Sequence, residues 1–401
     1  MQNEISTDYL IIGAGVVGLT IARELCNRLP KAQITIVEKE LDVAYHSSGR
    51  NSGVLHAGFY YTADSLKAKF TREGNALMRK YCYDNHLRIN ECQKVVVARN
   101  EDELKALFEL EKRGKTNGVD IKLITADELK AIEPNAVTYQ YALHSPSTAT
   151  VDPAEVVQCM KNELIGKGVQ LFFEDSYIKH VGDNTIQTKK HIISAGKIIN
   201  AAGLYADKIA KDFGYSKDYT IIPFKGIYLK YKGTDKPIRT NIYPVPNLKN
   251  PFLGVHYTIT VDGTIKIGPT SIPAFWRENY KGLANFKWKE LCAILIWEAR
   301  LFIMNSFGFR CLAIEEIKKY NRKYFTGLAM KMVNSIDGHG FKEWSKPGIR
   351  AQLLNIHTKE LVMDFVVEGD KRSIHILNAV SPAFTGSIPF AKWVVDNYIN
   401  K

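Results

Sequence analysis

Six residues near the start of the chain, Gly13-Ala-Gly-Val-Val-Gly18, restrict its fold more than any others, because of what flanks them. Tyr9 to Ile12 form a continuous apolar run of the kind found in a strand buried on both faces. After the glycines, Ile21, Ala22, Leu25 and Leu29 recur at helical spacing, and Pro30 stops the pattern. A second apolar run, Ile34 to Val37, ends in Glu38, twenty residues past the last glycine. Each part has a mechanical reason. Gly13 permits the tight turn, Gly15 lets a pyrophosphate touch the backbone, and Gly18 lets helix and strand pack closely. The helix N-terminus offers amide donors and a positive dipole end to phosphates, and Glu38 can accept both hydroxyls of an adenosine ribose. Strand, glycine turn, helix, strand and acid together predict a dinucleotide-binding unit.

NAD and FAD share that fingerprint, and the next segment separates them. A nicotinamide domain would continue into further alternating strands and helices. Here the chain passes through Lys39 and Glu40 into HSSGRNSGVLHAGFYY, His46 to Tyr61. Its three glycines, each costing about 1 kcal/mol relative to Ala in a helix, argue against a plain amphipathic helix. Small residues with serine, asparagine and backbone amides suit a long extended flavin followed from adenosine to ring. That favours FAD, with Ser48, Asn51, Ser52 and Gly53 along the pyrophosphate and ring and His56 near the reactive edge. A later strand, Lys197 to Asn200, ends in Ala201, Ala202 and Gly203, a second strand-to-glycine turn placed to meet the flavin.

The run NSGVLHAGFYY resembles the flavin-site motif of the L-2-hydroxyglutarate oxidase/dehydrogenase family, a branch of the D-amino-acid-oxidase-like flavoproteins. SLKAKF from Ser65, IEPNA from Ile132, HSPSTATVD from His144, NAAGLYAD from Asn200, IIPFKGIYLKY from Ile221, IYPVPNLKNPFLGVH from Ile242, IGPTSIPAFWRENY from Ile267, GIRAQ from Gly348 and NAVSPAFTGS from Asn378 resemble family segments in the same order. The departures fall in the half that meets substrate. Lys225 stands where the family usually has Arg, and Thr270 and Trp276 replace an amide and a base.

The resemblance implies an α/β fold: an FAD-binding Rossmann-like domain of the glutathione-reductase type plus an antiparallel-sheet substrate domain with helices. Its FAD domain is discontinuous, residues 1–90, 150–215 and 345–401, and its substrate domain takes 91–149 and 216–344. The implied activity is oxidation of L-2-hydroxyglutarate to 2-oxoglutarate, with electrons passed to quinone or oxygen. The alternatives are a related flavin oxidation of an amino acid or glycerol 3-phosphate, or a flavin-binding membrane partner without turnover. Hydride loss from C2 requires the hydroxyl to lose a proton, and a histidine has a suitable pKa. His56 is the first candidate and His256 the second. Arg350 occupies the position where the wider family places its carboxylate-binding arginine, and a bidentate fork fits that geometry. Tyr243 and Tyr228 complete the clamp, and Lys225 holds the distal carboxylate. Cofactor contacts extend to Lys39 and to Ser381, Thr385, Gly386 and Ser387, a turn before the last helix that in this family closes on the flavin ring. An N-cap is the competing role for Thr385 or Ser387.

Along the rest of the chain, Ser65 to His86 reads as an amphipathic helix, and alternating residues from Ile221 to Ile267 suit an antiparallel sheet. Two or three helices fill Leu283 to Ser335, and strands return at Val362 to Val367 and Ser373 to Leu377. The 401 residues suit two domains. Six scattered cysteines form no CxxC pair, so neither a metal site nor a disulfide framework is indicated, and a reducing, cytoplasmic setting is expected. The longest apolar run, from Leu291, is broken by Glu298 and Arg300, short of a membrane span. A formal charge of +12 without a nucleic-acid-reading motif points away from nucleic acid. With the broken apolar helix it favours peripheral contact with the inner face of an anionic membrane.

Overall fold

The computed structural model describes residues 3–235, 237–246 and 254–399. The chain divides into two compact units. One comprises Met1–Arg50, Pro153–Pro223 and Arg350–Lys401, the other Asn51–Asp152 and Phe224–Ile349.

The first unit is built on an eight-stranded sheet. Its centre is parallel: Asn3–Ile12 lies between Ile34–Val37 and His191–Asn200, and Gln170–Phe172 flanks Ile34–Val37. Ile34–Val37 is wholly buried, as an apolar run in a doubly covered parallel sheet should be. On its other edge the long strand His191–Asn200 serves two neighbours. Its first half pairs antiparallel with Thr185–Thr188, and its last residues pair parallel with Ser373–Asn378 from the chain's end. Helix Val16–Arg28 packs against Pro153–Gly166 and Ala383–Val394, so segments from the start, middle and end of the chain share one core.

The second unit holds two four-stranded sheets and one of three short strands. Strands His256–Ile259, Ile265–Gly268, Leu229–Tyr231 and Phe341–Trp344 are antiparallel neighbours, as the alternation predicts. Asn241–Pro244 departs from that expectation, because it leaves its sequence neighbours and pairs parallel with Lys94–Val97. Alternation specifies which face is buried but not which strand lies alongside. Lys94–Val97 sends its side chains to two cores. Val95 and Val97 join Leu229, Tyr257 and Phe325, whereas Val96 joins Phe59, Leu107 and Tyr243. By the two-residue period Lys94 shares the face of Val96.

Two boundaries differ from the sequence expectation. Residues 51–90 cluster with the second unit, because Val54–Leu55 and Ile89–Asn90 both pair with Ala149–Val151. The strand expected from Val362 begins at Val366; Val362 instead donates its amide to the Leu353 carbonyl.

Candidate active site

The glycine turn has the geometry its spacing requires. Gly13 adopts φ +106°, and a Cβ there would lie 2.7 Å from the Ala201 carbonyl oxygen, so a side chain is excluded by the neighbouring strand end. A Cβ on Gly18 would lie 2.1 Å from the Gly13 carbonyl oxygen, which explains the close fit of helix to turn. Gly15 is different. Its Cβ would meet only Ser48 Oγ, at 3.1 Å, so the bare backbone faces an open cradle at the start of the helix. The Val16 amide donates to Ser48 Oγ at 2.9 Å, placing Ser48 at that terminus. The Glu38 carboxylate accepts from the Ala14 amide at 2.9 Å and the Glu40 amide at 3.1 Å, which fixes its orientation and leaves lone pairs on both oxygens. A cradle that a side chain would fill, amide donors at a helix start and an aimed carboxylate together fit the adenosine and pyrophosphate of FAD.

The other expected cofactor residues are distributed as follows. Lys39 pairs with Glu40 and lies over the Tyr205 ring. Glu40 also bonds His46 Nε2 at 2.9 Å, and these partners pull its carboxyl down to about 2. Ala202 donates its amide to Asn200 Oδ1, and Gly203 has φ +53° with open space where a Cβ would stand. In the second unit Asn51 Oδ1 accepts from the Gly53 amide and Ser52 Oγ from the Val54 amide, so these side chains shape the turn leading to His56. Ser381 is exposed, while Thr385, Gly386 and Ser387 are buried within helix Ala383–Val394. The N-cap reading of Thr385 and Ser387 is therefore wrong: the helix begins at Ala383, with Pro382 at its N-cap and no side-chain cap.

In the second unit His56 follows strand Val54–Leu55 and is buried. Asn75, from helix Leu66–Asp84, holds the loop by donating to the carbonyls of Leu55, His56 and Ser147. Burial, with a smaller contribution from the Lys94 charge, lowers the His56 pKa to about 3, so the imidazole is neutral at neutral pH. His256 is also buried; its ring stacks on Tyr243 at 3.7 Å and its Nδ1 donates to the Gly254 carbonyl. That fixes its tautomer through Nδ1–H.

Tyr243 is fully buried in this cluster. The Tyr228 ring lies 4.7 Å from Lys266 Nζ, which also donates to the Ser52 carbonyl. Lys225 donates to Asn279 Oδ1 at 2.8 Å, and partial burial lowers its pKa. Arg350 lies half-exposed on strand Gly348–Asn355, at the first residue of the first unit's last segment. Thr270 Oγ1 donates to the Lys225 carbonyl and accepts from the Ile227 amide, and buried Trp276 donates to the Ala284 carbonyl. Both residues are accounted for by local structure.

Two lysines belong to this cluster that sequence reasoning missed, Lys94 and Lys266. Each sits in a short run of apolar residues, VVV after Lys94 and isoleucines around Lys266. A lysine within an apolar strand whose flanks carry no polar alternation is the one local signal both share, and it says nothing of what surrounds them.

Comparison with known proteins gives a consistent result. A family model described as DAO, FAD dependent oxidoreductase, matches residues 8–396. The L-2-hydroxyglutarate dehydrogenase of Indibacter alkaliphilus is 36% identical over 385 residues, covering 94% of this chain and 95% of that protein. The mitochondrial L-2-hydroxyglutarate dehydrogenase of Homo sapiens is 33% identical, covering 98% and 88%. Among solved structures, L-alpha-glycerophosphate oxidase from Mycoplasma pneumoniae with FAD bound superposes with a TM-score of 0.73 at 22% identity, covering 97% of this chain and 94% of that one. Glycine oxidase from Geobacillus kaustophilus gives 0.70 at 16%, covering 99% and 95%.

Proposed function

Because the chain belongs to the FAD dependent oxidoreductase family, we propose that its reaction is the oxidation of L-2-hydroxyglutarate to 2-oxoglutarate. The observation that carries this reading is identity of 36% with an L-2-hydroxyglutarate dehydrogenase over nearly the full length of both proteins.

When bound, FAD supplies the two-electron acceptor that takes the hydride from C2 of the hydroxy acid. The chain's own residues handle charge and protons. The neutral imidazole of His56 takes the hydroxyl proton as the C–H bond breaks. Arg350 is assigned the α-carboxylate, where a planar fork matches two oxygens. Lys225 is assigned the distal carboxylate, and Tyr228 and Tyr243 donate to the substrate oxygens. The pyrophosphate is assigned to the Gly15 cradle and Ser48, and the adenosine ribose to Glu38.

Electrons leave to quinone or oxygen, and one surface of the second unit favours a quinone in a membrane. Among the described residues no single helix is long and apolar enough to cross a bilayer. Helix Trp288–Met304 is nevertheless followed, after a 104° bend, by a second apolar helical segment, and together they expose Ile296, Phe302, Ile303, Met304 and Ile317. Arg300, Arg310 and Lys318 are exposed on the same two segments. Apolar tips interleaved with cations suit an anionic lipid surface.

An anaerobic panel read by flavin bleaching tests the substrate. L-2-hydroxyglutarate should bleach the purified yellow protein, whereas glycerol 3-phosphate and amino acids should not. Bleaching by either of those, with none by L-2-hydroxyglutarate, would overturn the assignment.

A further inference from the structure

A lysine drawn into a partly buried place is ordinarily met there by a carboxylate. Lys225 is not. It lies on strand Tyr219–Gly226, where its neighbours Phe224 and Gly226 are buried. Its side-chain partner among the described residues is the neutral amide of Asn279, whose Oδ1 accepts from Nζ at 2.8 Å. Burial lowers its pKa, and no neighbouring charge offsets that effect. An ammonium carries three N–H donors, so two remain after the bond to Asn279.

Both partners are held from behind. The Lys225 backbone is fixed by antiparallel pairing with Ile272 and by Thr270, whose Oγ1 donates to the Lys225 carbonyl at 3.0 Å. Asn279 is buried; its backbone amide donates to the Trp276 carbonyl at 3.1 Å and its Nδ2 to the Gly282 carbonyl at 3.2 Å. Because Nζ can only donate, the side-chain oxygen of Asn279 must be the atom that faces it. An amide oxygen anchors an ammonium and leaves its charge in place, whereas a carboxylate would cancel it.

We propose that Asn279 is a positioning residue for specificity: it pins the rotation of the Lys225 ammonium and directs the two remaining donors at the distal carboxylate of the hydroxy acid. This deepens, and rests on, the reading of the substrate as L-2-hydroxyglutarate. A guanidinium presents parallel donors as a rigid fork, but a lysine is a point charge on a flexible stem. Two of its donors acquire a fixed direction once the third is tied down. The Lys225–Asn279 pair thus does with two side chains what one arginine does alone.

The test uses the FAD-loaded protein and pairs of acids that differ at one end. L-2-Hydroxyglutarate and L-2-hydroxypentanoate share the reacting end, and the second has a methyl in place of the distal carboxylate. Glutarate and pentanoate are the same pair without the hydroxyl, and they bind without reacting. Half-saturation is read from flavin reduction for the first pair and from heats of binding for the second. Wild type should prefer the diacid in both. Asn279→Ala should raise half-saturating L-2-hydroxyglutarate by about threefold to thirtyfold, and that of L-2-hydroxypentanoate by less than about twofold. Asn279→Asp, which keeps the side chain's shape and gives Lys225 a counter-charge, should lose at least as much of the preference, and it serves also if the alanine variant folds poorly. In a Lys225→Met background Asn279→Ala should alter the preference no further, because no ammonium is left to position. A wild-type preference in both Asn279 variants, an equal rise for the two hydroxy acids, or a further loss in the Lys225→Met background would overturn the proposal. If L-2-hydroxyglutarate does not reduce the wild-type flavin, the substrate reading fails separately. Glutarate against pentanoate still decides the role of Asn279, and equal binding of the two by wild type would overturn it.

Discussion

Gly15 and Lys94 show how differently single residues reveal themselves. Gly15 stands at a fixed place in a spaced pattern, and the open cradle over its backbone matches the purpose the spacing implies. Gly15→Val would put three side-chain carbons, two of them methyls, into that cradle, so the purified variant should be colourless; normal flavin absorbance would sink the pyrophosphate assignment. His56 and Arg350 should fail in distinct ways. His56→Ala should slow limiting flavin reduction by about 10²–10⁴-fold with little change in half-saturating substrate. Arg350→Ala removes a charge-assisted contact of roughly 1.5–3 kcal/mol, so it should raise that concentration by about tenfold to hundredfold. Rapid mixing at varied substrate separates the two constants, and a wild-type value for either sinks that role. Lys94 was not legible in advance, because its ring partners come from Phe59, Tyr60 and Tyr243, far apart in the chain. Its burial also predicts a pH dependence. The folded value lies near 7, below the ordinary 10.5, so between these pH values the unfolded chain binds the extra proton. Stability should therefore rise as pH increases from about 7 to 10.5, on the order of 3–5 kcal/mol at most. Denaturant midpoints across that range should lose this component of their slope in Lys94→Met.

Elements explain how such residues are held. The His56 loop is anchored from outside by helix Leu66–Asp84, whose Asn75 amide serves three carbonyls from two separate loops. Asn75→Ala would leave those carbonyls without that donor in a buried place, at a cost of about 1–3 kcal/mol. Its denaturant midpoint should fall, with slower flavin reduction because the imidazole loses its fixed position; an unchanged midpoint and rate would show that the clasp does not govern the loop. The helix itself was legible, since Phe70 and Tyr81 fall on one side at helical spacing and a serine stands before the first turn. The target of Asn75 was not, because nothing local marks an asparagine as a clasp for a loop seventy residues away in the case of Ser147. Strand partners were similarly hidden. Asn241–Pro244 reads as one more member of a meander, yet it pairs parallel with Lys94–Val97 and so brings Tyr243 to Lys94. The site in this unit thus depends on a long-range pairing that periodicity does not encode.

At the scale of the whole chain, two compact units alternate in sequence, and their discontinuity followed from family resemblance, with pattern alone unable to supply it. Composition left one further trace. Residues 281–323 carry +5 of the net charge of +12, with nine Lys and Arg against four Glu. One of those carboxyls, Glu298, is pushed by burial up to about 8, so at neutral pH it is mostly protonated and opposes the cations even less. Eight of the nine cations are exposed, as are Ile303 at 70% and Met304 at 55% near the bend between the two helical segments. Apolar tips alone would favour self-association, and cations alone would favour any polyanion; the combination selects a surface offering both negative charge and hydrocarbon. With about 1 kcal/mol per cation near an anionic bilayer, binding should be measurable at low salt and weaken as the Debye length shortens. The protein should therefore sediment with vesicles containing phosphatidylserine at low ionic strength and remain in solution with purely zwitterionic ones. Ile303→Asp, at an exposed tip outside the His56 cluster, should weaken vesicle binding while leaving flavin reduction by soluble substrate unchanged. Failure of the wild-type protein to sediment with anionic vesicles at low salt would remove the membrane contact, and with it the structural reason for preferring a quinone over oxygen.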